Sequence, residues 1–155
     1  EHATMHLLYA RFITKALNDL NLIDFKEPFK HLYHQGVITK DGAKMSKSRG
    51  NTVSPDSFID QYGSDTFRCY LMFMGPYDEG GDWNDKGIKG IYKFLGRSFR
   101  LCNKEASYDE NKEDLFMIHS TIKSVTHDLD GMKFNTALSR LMEFVNYFYS
   151  QTQLL

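Results

Sequence analysis

From Ser64 onward, four successive stretches carry the residue pattern of amphipathic helices, with apolar residues recurring every three or four positions where the pattern is clearest. That period buries one helix face and suits no strand. The first stretch opens at Ser64-Asp65, read as a cap, and stops at Gly75-Pro76, because proline disfavours helical geometry in the residue before it. The others are expected at about 85–103, 113–128 and 133–152. The polar connector 104–112 separates the second from the third. Leu115, Ile118, Ile122, Val125 and Leu129 form the core stripe expected of the third helix. Phe134, Ala137, Leu138, Leu141, Met142, Val145 and Phe148 form that of the fourth. Aromatic residues at this spacing beside Leu and Val are core rather than base-stacking groups.

Before residue 64 the pattern is mixed. Glu1 to Leu20 reads as a helix with Leu8, Phe12, Ala16 and Leu20 at a four-residue period, widened by Met5, Ile13 and Leu17 and ended near Asn18-Asp19 and Asn21. Gly36-Val37-Ile38-Thr39 is β-rich, and Lys40-Asp41-Gly42 is a turn signal, so a short strand or hairpin is expected. A polar loop, 44–53, follows. Ser54-Pro55 then starts a helix, with Ser as N-cap and Pro in the first helical position, that ends at Gly63. Residues 77–84, with Gly80-Gly81, read as a loop. The fold class is therefore mainly α: a small α/β remnant holding the 44–53 loop, followed by a helical bundle. The expected boundary divides 1–76 from 77–155.

Composition sets the outer limits. Hydrophobic residues make up 41% and charged residues 25% of 155 residues, which suits a globular chain with one good core. No apolar run approaches the roughly 18 residues of a membrane span, and there is no secretory pattern at the start. The chain does not begin with Met and stops inside an amphipathic pattern, so both ends are read as cuts. Cys69 and Cys102 read as reduced core thiols, which suits a cytoplasmic protein. With no Cys-x-x-Cys and no His-Glu-x-x-His, a zinc site is unsupported. His2 and His6 share a helix face at i, i+4, but no third ligand is apparent.

The chemistry concentrates in Lys44-Met45-Ser46-Lys47-Ser48. With Arg49, three cations fall within six residues, and their repulsion is relieved by a bound anion. Ser46 and Ser48 add hydroxyl donors, and Gly50 permits close backbone approach. Such a loop suits a triphosphate and the charge that develops when it reacts. A solvated basic turn accounts for these residues equally well when they are taken alone.

The flanking residues separate the two readings. Gly42 through Pro55 resembles the signature loop, KMSKS, of the class I aminoacyl-tRNA synthetases, and Tyr62-Gly63-Ser64-Asp65-Thr66-Phe67-Arg68 is similar to the segment that follows it in the Leu/Ile/Val subgroup. Glu1-His2-Ala3-Thr4-Met5-His6 through Phe12, Glu27-Pro28-Phe29, Met72 through Pro76 and Trp83 through Gly87 resemble the leucyl branch in particular. The likeness covers most of residues 1–104 and the rest more weakly.

The resemblance implies roles position by position. Lys47 contacts the ATP phosphates and stabilises the activation transition state. Lys44 assists as the second catalytic cation, and Met45, Ser46 and Ser48 complete an ATP loop that closes as a lid. Glu1 and His2 lie toward the nucleotide, Glu1 as a ribose ligand, and His6 lies toward the amino-acid pocket. ATP with Mg2+ is the implied co-substrate. Leucine and tRNA(Leu) are the implied partners, of a monomeric ligase with no membrane partner. The family's other ATP motif, His-x-Gly-His, and an editing domain are absent from this stretch, so alone it is not expected to activate leucine. A helical RNA-binding module without catalysis of its own is the alternative.

One more feature points to RNA. Residues 1–104 carry 15 Lys/Arg against 12 Asp/Glu, and residues 105–155 carry 4 against 8. Lys86, Lys89, Lys93, Arg97, Arg100 and Lys104 fall within roughly an 80° sector of the 85–103 helix, at about 100° per residue. Ile88, Ile91, Tyr92, Leu95, Phe99 and Cys102 lie opposite. This ridge, with Arg68, is read as the tRNA-binding set, since basic surfaces track phosphates by releasing counterions. Gly87, Gly90 and Gly96 flank it and predict close packing or close backbone approach.

Overall fold

The structure is a computed structural model that describes residues 2–103 and 111–151, with side chains from residue 4 onward. It forms two compact units, 1–34 and 35–155.

In the first unit a π-helical turn, His2–His6, leads into α1, Leu7–Asp19. The helix stops as its asparagines predict. Asn21 is left-handed at φ 57°, the Leu22 amide donates to the Leu17 carbonyl and the Asn21 amide to that of Asn18, the double bond of a Schellman cap. The chain then turns back, and Glu27 takes both bonds of the Arg11 guanidinium at 2.8 Å with Lys15 at 3.4 Å. The predicted apolar stripe of α1 is only partly covered, at the half-buried Ala16 and Leu17. Phe12 is 66% exposed, Leu8 and Ile13 more than half, and only Thr14 is buried. Thirty-odd residues enclose too little volume to bury a face of that size.

The fork from Arg11, opposed by desolvation and aided by the charges of Arg11 and Lys15, holds the Glu27 carboxyl at about 2, below its ordinary 4.5. A carboxyl depressed on folding stabilises fully above its unfolded value, and that contribution disappears as pH falls toward the folded value. Acid titration, followed by hydrogen exchange of the α1 amides, is therefore expected to show protection lost between pH 4.5 and about 2. Glu27→Gln should lack that limb. The pair is exposed, so salt should weaken the effect.

The second unit begins with a hairpin: β1, Val37–Lys40, and β2, Ala43–Lys44, antiparallel through Asp41-Gly42. Both turn residues have positive φ, 54° and 69°, as a type I′ turn requires. α2, Pro55–Tyr62, and α3, Ser64–Phe73, follow. The chain then crosses back to β3, Gly80–Asp82, which runs parallel to β1 in the sheet order β2-β1-β3. This strand replaces the loop expected at 77–84. Its cause is tertiary: a Cβ on Gly36 would overlap the Gly80 amide, and one on Gly80 the Val37 carbonyl, so bare backbone lets the two strands meet.

α4, Ile88–Cys102, α5, Lys112–Asp130, and α6, Phe134–Gln151, complete the fold. α6 packs on α3 and α4 and is backed by α5. The core gathers round Trp83, whose ring meets Phe58 at 4.9 Å, Tyr70 at 5.1 Å and Phe67 at 5.8 Å, over the fully enclosed Ile88 and Ile91. Aromatic edges against faces suit the ring quadrupoles. The Tyr70 hydroxyl donates to the Asn84 carbonyl at 2.8 Å and accepts from the Asn84 amide, which satisfies a buried polar group. Between α5 and α6 the buried Asp128 carboxylate accepts from Arg140 Nε at 2.7 Å.

Several local expectations are corrected. The inner face of α4 is Ile88, Ile91 and Phe94, whereas Phe99 is 72% exposed and Tyr92 and Cys102 also face out. The face is set by Tyr70, which abuts Gly87 so closely that a Cβ there would press on the phenol. Gly90, by contrast, has nothing within 4 Å, and Gly96 only an Arg100 nitrogen at 3.4 Å, so neither is packed against. On α5, Ile122 and Leu129 of the expected stripe are exposed. Ser54 does stand at an N-cap position, but its hydroxyl donates to the Asp56 carboxylate rather than accepting a backbone amide. Gly63, not Ser64, precedes α3.

Candidate functional site

The β1–β2 hairpin presents the 44–53 segment. Its base is fixed by Asp82 of β3, whose carboxylate accepts the Thr39 hydroxyl at 2.6 Å and the Gly42 amide at 3.0 Å. Both bonds pull its carboxyl below the usual range. From there Met45 turns inward onto the Trp83 core, and Val53 does the same at the far end. Residues 46–52 arch between these two apolar feet.

Asn51 shapes the arch. Its side-chain oxygen accepts the Ser46 amide at 2.8 Å, and its side-chain nitrogen donates to the Lys44 carbonyl at 3.3 Å. Inside this clasp Lys47–Arg49 makes one 3-10 turn, closed by the Arg49 amide on the Ser46 carbonyl and ended by left-handed Gly50 at φ 67°. The Ser46 and Ser48 hydroxyls meet at 2.7 Å. Lys44, Lys47 and Arg49 are exposed, and no described acid lies within ion-pair distance of them. Lys47 and Arg49 on the preformed turn and Lys44 at the end of β2, with two hydroxyls beside them, present charge that suits a multiply charged anion.

Among the residues predicted for ATP, Ser46, Lys47 and Ser48 stand on the arch, Lys44 ends β2 just before it, and Met45 is its anchor. Glu1 lies outside the described residues, and so does the side chain of His2. His6 is exposed in the first unit, its ring centre 6.1 Å from that of Phe29. Sequence reasoning missed Asn51 and Asp82. An Asn directly after the Gly that ends a basic turn is a usable signal for the first, but nothing in the chain order points to the second.

The cations of α4 are arranged differently. Lys86 lies in the turn before the helix, and Lys104 is outside the described residues. Lys89 and Lys93 are exposed, Arg97 is half-buried, and the Arg100 guanidinium sits 5.9 Å from the centre of the Tyr149 ring on α6. Between α4 and α6 runs an open groove of about 540 Å³ that Lys93, Arg97 and Arg100 line. Arg68 is exposed on α3, 3.7 Å from Asp65.

Comparison with known proteins extends this reading. The family model described as tRNA synthetases class I (I, L, M and V) matches residues 7–84. The leucine–tRNA ligase of Caldanaerobacter subterraneus subsp. tengcongensis is 53% identical over 96% of this chain. Those of Clostridium perfringens (strain 13) and Pseudothermotoga lettingae are 51% and 50% identical over 99% and 96%. The chain spans about a fifth of the length of these relatives, 20% in each case. Among solved structures, the agnB2 LeuRS of Agrobacterium radiobacter K84, in ternary complex with tRNA and LeuAMS, superposes with a TM-score of 0.82 at 36% identity. That match covers 97% of this chain and 22% of the other. A hairpin-borne basic arch on a helical body, together with these matches along nearly the whole chain, establishes that the chain belongs to the class I tRNA synthetase family, within the leucyl group.

Proposed function

We propose that this chain is a stretch of a leucine–tRNA ligase, which activates leucine with ATP and transfers it to tRNA(Leu), and that it supplies the arch for the ATP phosphates and a helical tRNA-binding surface. The observation that carries the reading is the basic hairpin end: Lys47 and Arg49 on a turn preset by Asn51, with Lys44 of β2 before it, all exposed without a described acidic partner. In adenylate formation the leucine carboxylate attacks the α-phosphorus, and pyrophosphate leaves as negative charge builds on its oxygens. Cations held at that place lower the barrier without moving a proton. ATP arrives with Mg2+, which shares that charge. Lys47 does the chief electrostatic work, with Lys44, Ser46 and Ser48 beside it. By the family resemblance we assign Glu1 and His2 to the nucleotide and His6 to the amino acid. We assign tRNA binding to the helical part, residues 77–155, through Lys86, Lys89, Lys93, Arg97, Arg100 and Lys104, with Arg68 of α3 added to that set.

The largely uncovered apolar face of α1 supports the view that more protein surrounds this stretch in the working enzyme. The deciding experiment is pyrophosphate exchange by the complete protein with leucine, isoleucine and valine in parallel. Exchange driven by leucine well above the other two is expected. Equal exchange with all three, or none with leucine, would remove the reading.

A further inference from the structure

We propose that the groove between α4 and α6 seats one backbone phosphate of the bound tRNA directly against the α4 main chain, with the attached sugar or base resting on Tyr92. The proposal rests on the tRNA-ligase reading above and assigns one subsite within it. Three independent observations meet here.

The first is charge. Lys93, Arg97 and Arg100 line the groove, and among the described residues no carboxylate does. Three cations without an acid suit a strand of phosphates and repel most other occupants.

The second is an unmet bond. Arg97 Nε is shut off from solvent and has no hydrogen-bond partner among the described residues, and it is the one side-chain polar atom there in that condition. An orphaned guanidinium N–H is costly where it stands. Turning the side chain outward onto a phosphate gives it an acceptor and lets the planar fork bind two oxygens together.

The third is the bare helix. Gly90 and Gly96 both line the groove, one on each side of the cationic ridge, yet among the described residues nothing packs against Gly90 and only the tip of Arg100 approaches Gly96. Gly96 lies in the middle of α4, where glycine weakens a helix. A glycine kept where no neighbour needs the space leaves a floor on which something outside the chain sits close to backbone. The Tyr92 ring, 53% exposed at the groove's rim, adds a flat apolar face for sugar or base.

The test uses the complete ligase and tRNA(Leu), with binding followed across a range of salt and melting followed in parallel. Gly96→Leu restores helix propensity while filling the floor, so its melting temperature should not fall while its tRNA affinity drops at least about tenfold. Arg97→Ala should weaken binding and lower the salt slope by about one. Arg97→Lys keeps the charge, and with it the slope, but loses the fork, so its affinity should still fall. Unchanged affinity in Gly96→Leu, with the arginine variants impaired, would mean that cations act at a distance and no strand reaches the helix, which overturns the subsite. A lowered melting temperature in Gly96→Leu would mean that another part of the ligase fills the groove, and overturns it as well. If the unaltered protein binds no tRNA and shows no leucine-dependent exchange, the ligase reading fails first and takes the subsite with it.

Discussion

Replacing Lys47 by Ala in the complete ligase is expected to slow leucine activation by about 100- to 1,000-fold, the loss typical of removing one preorganised group that meets charge formed in the transition state. That corresponds to roughly 3–4 kcal/mol of barrier. The position of the loss is as informative as its size. In the proposed role the ammonium meets charge that grows only as pyrophosphate departs, so the rate constant should fall while KM for leucine stays near its starting value. Folding should be untouched, because Lys47 is exposed, has no described ion-pair partner, and lies on an arch held by Asn51 rather than by its own side chain. Surface changes of that kind shift stability by less than about 0.5 kcal/mol. Lys47→Arg should restore part of the rate. Lys44→Ala added to Lys47→Ala should cost less than the sum of the two, since the proposal sets both cations against one triphosphate. Pyrophosphate exchange measured beside thermal melting checks all of this. A large loss of melting temperature, or a loss confined to leucine KM, would contradict the assignment.

Trp83→Ala is expected to be the most damaging single truncation in the second unit, costing about 3–5 kcal/mol. The indole is 5% exposed, meets three aromatic rings within 6 Å, and donates from Nε1 to Asp85 at 2.6 Å. Its own amide also donates to Thr39 and so extends the β1–β3 pairing. Removing the ring leaves a cavity at the point where the sheet, α2, α3 and α4 converge. Both feet of the arch, Met45 and Val53, pack into that same cluster. Hydrogen exchange should therefore accelerate together in β1, α3 and α4, and activation should fall although Trp83 carries no charge. Trp83→Phe keeps part of the packing and should be much milder. Faster exchange restricted to one helix would mean that the cluster is not a single cooperative unit.

Local chemistry was the legible part of this fold. Asp-Gly directly after a β-rich run specifies its turn through backbone preference alone, and the hairpin appears where that pair stands. Asn21 ends α1 for the same reason. The helices of the bundle fall within three residues of their expected bounds, and Ser46, Lys47 and Ser48 share the arch because they are nearly consecutive in the chain. What stayed hidden depends on partners distant in the chain. β3 is Gly-Gly-Asp, with almost no strand preference, and exists because Gly36 and Gly80 let two backbones touch across 44 positions. Asp82 reaches the hairpin only through that pairing. α4 likewise turns Phe94 inward instead of Phe99, because Tyr70 settles against Gly87, and no period read along one helix contains that information.

The two apolar feet of the arch set a leash on its charge. Eight residue steps separate Met45 from Val53, about 28 Å of fully extended backbone, so the crest of the arch can rise no more than roughly 14 Å above its moorings. Any triphosphate that Lys47 touches must lie inside that radius plus the length of one lysine side chain, whatever else the enzyme does to open or shut.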